Sequence, residues 1–190
     1  SSAIRTALEA GEVADAAALL GRPYALWGEV TPGDGRGRTL GFPTANVEPL
    51  DEYKLLPAAG VYAVRVQVPG DVVPTGGNGG LGTVEEGLPE VDRHGDLLSP
   101  GHARWRLYGG MLNFGRVPTF HPGGLPAARL EVHVLDFAGD LRGRTLKVEW
   151  LARLRDERKF AGVDDLVAQL RRDEAAARAV VAAAGAPPHP

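Results

Sequence analysis

Four stretches of this chain alternate their side chains with a period of two, and that pattern constrains the fold more than any other feature. Tyr24, Leu26 and Val30 alternate with Ala25, Trp27, Glu29 and Thr31, and Tyr62, Val64, Val66 and Val68 share one face of Val61 to Val68. Leu130, Val132 and Val134 oppose Glu131, His133, Leu135 and Phe137, and Leu146, Val148 and Trp150 face together within Thr145 to Leu151. Only an extended strand sends every second side chain to one side. Short strands expose unpaired N–H and C=O edges, and closing the sheet on itself removes those edges. The expected fold is mainly β, an antiparallel Greek-key-like β-barrel with short N-terminal helices and a long C-terminal helix packed on it. The last two strands flank Gly139-Asp140 and a polar loop from Asp140 to Arg144, so they are expected to pair as a hairpin.

The segments between the strands follow from their own residues. Ile4, Leu8, Val13, Ala16, Ala17 and Leu20 recur at helical spacing around a break at Gly11, which predicts two short helices within residues 1–20. Asn46 to Gly60 contains Pro49 and Pro57 around a polar run and reads as a long connection. Residues 69–103 are rich in Gly and Pro, cannot bury much apolar surface, and read as a mobile loop or hairpin with no function assigned. Leu154 to Phe160 is a dense charge cluster. A long helix then follows Gly162, with Leu166, Leu170, Ala177 and Val181 as its apolar face, Asp164 and Asp165 at its positive end, and Gly185 after it.

One non-repetitive stretch carries chemistry. Gly33, Gly35 and Gly37 alternate with charged residues that include Arg36 and Arg38, so the backbone can approach an anion while two guanidinium groups neutralise it. Pro43-Thr44-Ala45-Asn46 follows, presenting a hydroxyl and a carboxamide two residues apart, oxygen donors that a hard cation such as Mg²⁺ accepts. No Gly-Lys-Ser/Thr closes the run, so a nucleotide bound here is held by something other than a Walker loop.

Gly-Arg-Thr-Leu-Gly-Phe-Pro-Thr-Ala-Asn, from Gly37 to Asn46, resembles the signature of the riboflavin kinase family. Three further segments resemble that family in order: Asn113-Phe114-Gly115-Arg116-Val117-Pro118-Thr119-Phe120, Leu130 to Phe137, and the charged run from Arg155. The resemblance implies transfer of the ATP γ-phosphoryl group to the 5′-hydroxyl of riboflavin, giving FMN and ADP, with Mg²⁺ accompanying ATP. It implies that Gly33, Gly35, Arg36, Gly37, Arg38, Thr44 and Asn46 bind nucleotide and phosphate, and that Thr44 and Asn46 also meet the metal. It further implies that Glu131 is the catalytic base and that Phe42, Arg155 and Asp156 lie against the flavin. His133 points the same way as Glu131 and competes for the base role, or positions it.

Ser1 to Arg5 resembles the closing segment of the nucleotidyltransferase module that precedes the kinase module in bacterial bifunctional FAD synthetases. Residues 1–20 are therefore expected to be a helical remnant or linker from an FMN adenylyltransferase module, residues 21–185 a riboflavin kinase domain containing the 69–103 insertion, and residues 186–190 a tail. No His-x-Gly-His motif is present to carry the adenylylating activity.

A formal net charge of −3 gives no global basic field, which argues against nucleic acid or an anionic membrane as partner. The chain has no cysteine, which excludes disulfides and thiolate chemistry. No apolar run reaches membrane-spanning length, and a cytoplasmic protein is expected. Two rivals stand beside the kinase. A flavin-binding barrel without kinase activity, whether carrier or oxidoreductase, leaves the arginine loop and Thr44/Asn46 without a task. An oligonucleotide-binding barrel needs stacking aromatics and a basic groove, against which 6% aromatic content weighs.

Overall fold

The structure, a computed structural model, describes residues 1–33, 35–72, 80–87, 90–91, 97–98, 102–120 and 126–185. Helices α1 (Ser2–Ala10) and α2 (Val13–Leu20) lead into strand β1 (Tyr24–Thr31), a one-turn helix α3 (Arg36–Thr39) and strand β2 (Ala45–Pro49). Strands β3 (Gly60–Pro69), β4 (Gly82–Gly87), β5 (Glu90–Val91), β6 (Leu97–Leu98), β7 (His102–Phe120), β8 (Pro126–Val134) and β9 (Thr145–Arg155) follow, and α4 (Val163–Ala184) ends the described chain. No helix among the described residues is long and apolar enough to cross a membrane.

Six antiparallel strands close into a barrel in the order β3-β9-β1-β2-β8-β7, with β7 returning to β3. The expected alternation supplies its interior: Leu26, Val30, Tyr62, Val64, Val66, Val68, Leu130, Val132, Val134, Leu146, Val148 and Trp150 are all buried in one core. Each such aliphatic side chain contributes about 1.5–3 kcal/mol when fully withdrawn from water. A second apolar layer lies outside the barrel, where Ala177 of α4 packs with Ala63 of β3, Met111 of β7, Leu135 and Phe42. The long helix therefore covers one side of the barrel and reaches the loop that carries Phe42.

Several expectations give way. β8 and β9 are not a hairpin, because β1 and β2 stand between them: β8 pairs with β2 and β7, and β9 with β1 and β3. Closure satisfies more backbone than a free hairpin would, and this crossing makes the Greek-key order. The connection expected from Asn46 begins instead as β2, whose Val47 enters the core while Asn46 faces outward. Arg36 to Thr39 forms a helical turn within the glycine-rich loop. Phe137 lies past the end of β8 and packs edge-on against Tyr108 on the core. Within the expected insertion, β4 is an ordered strand paired with His102 to Leu107 of β7, and β5 pairs with β6. Residues 73–79, 88–89, 92–96 and 99–101 of it lie outside the described residues, so the expectation of a mobile segment is not addressed there.

The buried stripe of α4 also differs from expectation. It runs through Gln169, Asp173, Ala177 and Val181, while Leu166 and Leu170 are half-buried. Asp173 is tolerated inside because Arg155 of β9 meets its carboxylate through Nε at 3.0 Å and a terminal nitrogen at 2.8 Å, and Gln169 Nε2 adds a bond of 2.8 Å. A buried carboxylate needs this kind of pairing.

Candidate functional site

Register places the site residues on one line. Thr31 of β1 is opposite Asn46 of β2, Asn46 is opposite Glu131 of β8, Glu131 is opposite Asn113 of β7, Asn113 is opposite Val61 of β3, and Val61 is opposite Arg155 of β9. Directly opposed residues in antiparallel strands project to the same side. Leu130 and Val132 point into the core. The row through Glu131 therefore runs across the barrel's outer face, and Asn46 and Asn113 flank the carboxylate from both neighbouring strands.

The loop between β1 and β2 folds back over one end of this row. Gly35 takes a left-handed conformation (φ 68°) that starts α3, and the Phe42 amide donates to the Gly37 carbonyl at 2.8 Å. A Cβ on Gly37 would collide with the Phe42 carbonyl and lie 3.1 Å from Thr44 Oγ1, and one on Gly33 would overlap the Asn46 carboxamide. These two glycines are therefore required by close approach: the glycine run and the Pro-Thr-Ala-Asn segment are packed against each other. Thr44, Arg36 and Arg38 are exposed.

His133 fastens this loop to β8. Its Nδ1 is 2.7 Å from the Pro43 carbonyl, and because a carbonyl only accepts, Nδ1 carries the proton and donates. The Phe42 ring meets the imidazole edge-on at a centroid distance of 5.6 Å. Phe42 itself is 7% exposed, packed with Met111 and Ala177. It shapes the loop from beneath.

The loop joining β8 to β9 lies beside the same end. Asp140 binds Arg142 through two side-chain contacts of 2.9 and 2.6 Å. Those bonds, the Arg142 backbone amide and the nearby charges of Arg142 and Arg38 hold the Asp140 carboxyl well below the usual carboxylate range. Arg38 is thus within electrostatic reach of this loop.

A cleft of about 240 Å³ opens on the outer face, lined by Thr31, Pro32, Gly33, Asn46, Glu48 and Arg129 among others. The Asn46 Oδ1 atom is buried and has no hydrogen-bond partner among the described residues, a state that normally costs stability and calls for a ligand. Among the described residues no three His, Cys, Asp or Glu side chains gather into a metal cage. Neutral oxygens such as Asn46 Oδ1 and Thr44 Oγ1 suit Mg²⁺, which keeps waters and phosphate oxygens as its remaining ligands. Glu131 is partly exposed, and Arg129 Nε lies 2.9 Å from its Oε1.

The charged run after β9 approaches from the other side. Asp156 is exposed and pairs with Arg153 at 3.0 Å, while Arg155 is engaged with Asp173 and lies over the Phe160 ring. Glu157 stands over Gly115 of β7, where a Cβ would be 2.5 Å from its Oε1. The segment therefore crosses β7 beside Asn113. Of the residues expected in the site, Gly33, Asn46 and Glu131 lie on one face, Thr44 packs against Gly37 in the adjoining loop, Arg155 and Asp156 border the row, and Phe42 is buried beneath the loop. Arg129 was not singled out in the sequence, although an arginine two residues before Glu131 on a strand must share its face.

Residues 20–181 match the family model described as Flavokinase: Riboflavin kinase. The chain is similar to the bifunctional riboflavin kinase/FMN adenylyltransferase of Bacillus subtilis (strain 168), 37% identical over 174 residues that make up 92% of this chain and 44% of that protein. It is similar to the protein of the same description from Escherichia coli (strain K12), 40% identical over 178 residues, 94% of this chain and 44% of that one. A solved structure described as a macrolide-efflux protein from Streptococcus pneumoniae superposes with a TM-score of 0.70 at 36% identity, over 94% of this chain and 46% of that chain. The chain spans less than half the length of the curated relatives it matches.

Proposed function

Because the chain belongs to the riboflavin kinase family, we propose that it transfers the γ-phosphoryl group of ATP to the ribityl 5′-hydroxyl of riboflavin, giving FMN and ADP. The observation that carries this reading is the opposition of Asn46 and Glu131 on one outward face, with the glycine-arginine loop folded against Asn46. A phosphoryl transfer needs an acceptor for the hydroxyl proton beside a phosphate and metal site, and that is what this pairing provides. A flavin barrel without phosphoryl transfer has no observation in its favour and leaves these groups idle.

In this reading Glu131 accepts the 5′-hydroxyl proton as the oxygen attacks phosphorus in line and ADP leaves. Thr44 and Asn46 would hold Mg²⁺, which when bound neutralises charge on the transferring phosphates. The backbone at Gly33, Gly35 and Gly37 comes close to the phosphates, with Arg36 and Arg38 supplying countercharge. Arg155 and Asp156 border the flavin, with Arg155 held in place by Asp173, and Phe42 shapes the adjoining wall from below.

We further assign residues 1–20 to the junction with an FMN adenylyltransferase module and residues 21–185 to the kinase domain of a cytoplasmic protein. The test is incubation with riboflavin, ATP and Mg²⁺, followed by chromatographic separation of riboflavin from FMN. FMN formed only when ATP and metal are present is expected; its absence under all conditions would overturn the reading.

A further inference from the structure

We propose that Asn113 binds the secondary hydroxyls of the ribityl chain, next to the reacting 5′-hydroxyl, and so makes the site selective for a flavin with a polyhydroxylated side chain. This rests on the kinase reading above. Asn113 lies on β7 directly opposite Glu131 of β8, on the side away from Asn46, and its side chain is exposed on the outer face. Its other neighbour across the sheet is Val61 of β3, the partner of Arg155. Asn113 therefore sits between the proposed base and the segment that borders the flavin.

Distance along the substrate decides which part of it Asn113 meets. The 5′-oxygen must come within hydrogen-bond reach of Glu131, and a residue one strand spacing away, about 5 Å, reaches only atoms a few bonds from that oxygen. Toward Asn46 those atoms belong to the phosphate; toward Asn113 they are the ribityl carbons, while the flavin ring lies further on. Each of these carbons carries a hydroxyl that both donates and accepts. A carboxamide does the same, with an N–H₂ for the hydroxyl oxygen and an oxygen for the hydroxyl proton. Gly115, two residues further along this face of β7, adds no side chain of its own, and Glu157 of the bordering segment stands over it. The chain thus has a polar wall on the β7 side from Glu131 to Glu157, with Asn113 at its centre.

The experiment compares wild type and Asn113→Ala with two flavins: riboflavin, and the N10-(5-hydroxypentyl) flavin that keeps the terminal hydroxyl but lacks the secondary ones. Binding of each is followed by flavin fluorescence, alongside KM for each flavin and for Mg-ATP. Loss of a neutral hydrogen bond is expected to weaken riboflavin binding and raise its KM by about two- to tenfold in the variant. Binding of the hydroxypentyl flavin and the Mg-ATP KM should stay within about twofold of wild type, and the preference of wild type for riboflavin over the analogue should shrink accordingly. Unchanged riboflavin binding would overturn the proposal. An equal loss with both flavins would overturn it too, because Asn113 would then act on Glu131 or on the fold and not on the ribityl hydroxyls. Wild type that binds riboflavin yet makes no FMN would sink the kinase reading alone, and the comparison of the two flavins would still decide whether Asn113 meets the hydroxyl chain.

Discussion

Asn46 and Glu131 stand directly opposite each other across the β2–β8 ladder, both facing out of the barrel. A ligand that meets the Asn46 carboxamide is within one strand spacing of the Glu131 carboxylate, about 5 Å. No loop motion is needed to bring the two groups together.

Glu131→Gln tests the base. The variant keeps size and polarity but cannot accept the proton, and the expected loss in single-turnover FMN formation is about 10²–10⁴-fold. Riboflavin and Mg-ATP binding should stay near normal. An undiminished chemical step would remove Glu131 from the role.

His133→Gln separates positioning from proton transfer. The imidazole donates to the Pro43 carbonyl and so holds the segment that carries Thr44. Loss of such a bond, worth about 0.5–1.5 kcal/mol, should raise the Mg-ATP KM roughly two- to tenfold. A loss in kcat equal to that of Glu131→Gln would transfer the base role to His133.

Gly37→Ala tests the close approach of the loop to its own return strand. A methyl group there collides with the Phe42 carbonyl, so the loop must open. Mg-ATP binding should fall by more than about tenfold while thermal stability of the barrel changes by less than about 1 kcal/mol, because no side chain of the barrel interior is touched. Normal nucleotide affinity would show that this packing does not shape the site.

Asp173→Ala leaves Arg155 without its carboxylate at a position where the aspartate is 4% exposed. Removing one member of a buried ion pair costs about 3–5 kcal/mol, measurable by urea unfolding. The riboflavin KM should rise as well, because Arg155 begins the segment that borders the row.

Asp136 supplies a pH test of how α4 is held. Its carboxyl is lowered chiefly by its hydrogen bonds to Arg178 of α4. The stabilisation is therefore complete above the unfolded-state carboxylate value of about 4 and is lost as pH falls through the lowered folded value. Asp136→Asn suits the left-handed backbone there (φ 57°). The gap in Tm between wild type and this variant should be present at neutral pH and close in strong acid. A gap that persists unchanged would assign it to packing.

What the sequence made legible was local. Tyr24 to Thr31 and Val61 to Val68 announce themselves as strands because every second side chain enters one core. Their pairing does not, since periodicity fixes a residue's face and says nothing about its neighbour. That is why Leu130 and Leu146, close in sequence, were expected in one hairpin and lie on strands separated by β1 and β2. β2 was missed because Val47 is its one fully buried side chain, too little for an alternating signal. Asp173 was missed in the α4 stripe because its reason, Arg155, is reached only through space. Thr44, Asn46 and Glu131 could be put forward from the sequence, whereas the row that joins Asn46 to Glu131 and the contact of Arg129 with Glu131 required the closed barrel.

The crossing of β1 between β2 and β9 also dictates when the barrel can form. Tyr24 pairs with Trp150, and Gly28 with Leu146, so the first barrel strand waits for the last. During synthesis β1 can meet β2 early, but its second edge and one edge of β3 stay unpaired until Thr145 to Arg155 have left the ribosome. Pairing over such sequence distances is slow, and open strand edges with one apolar face invite association with other chains. A chain that terminates before Thr145 would therefore yield an aggregating ribbon, not a smaller soluble domain.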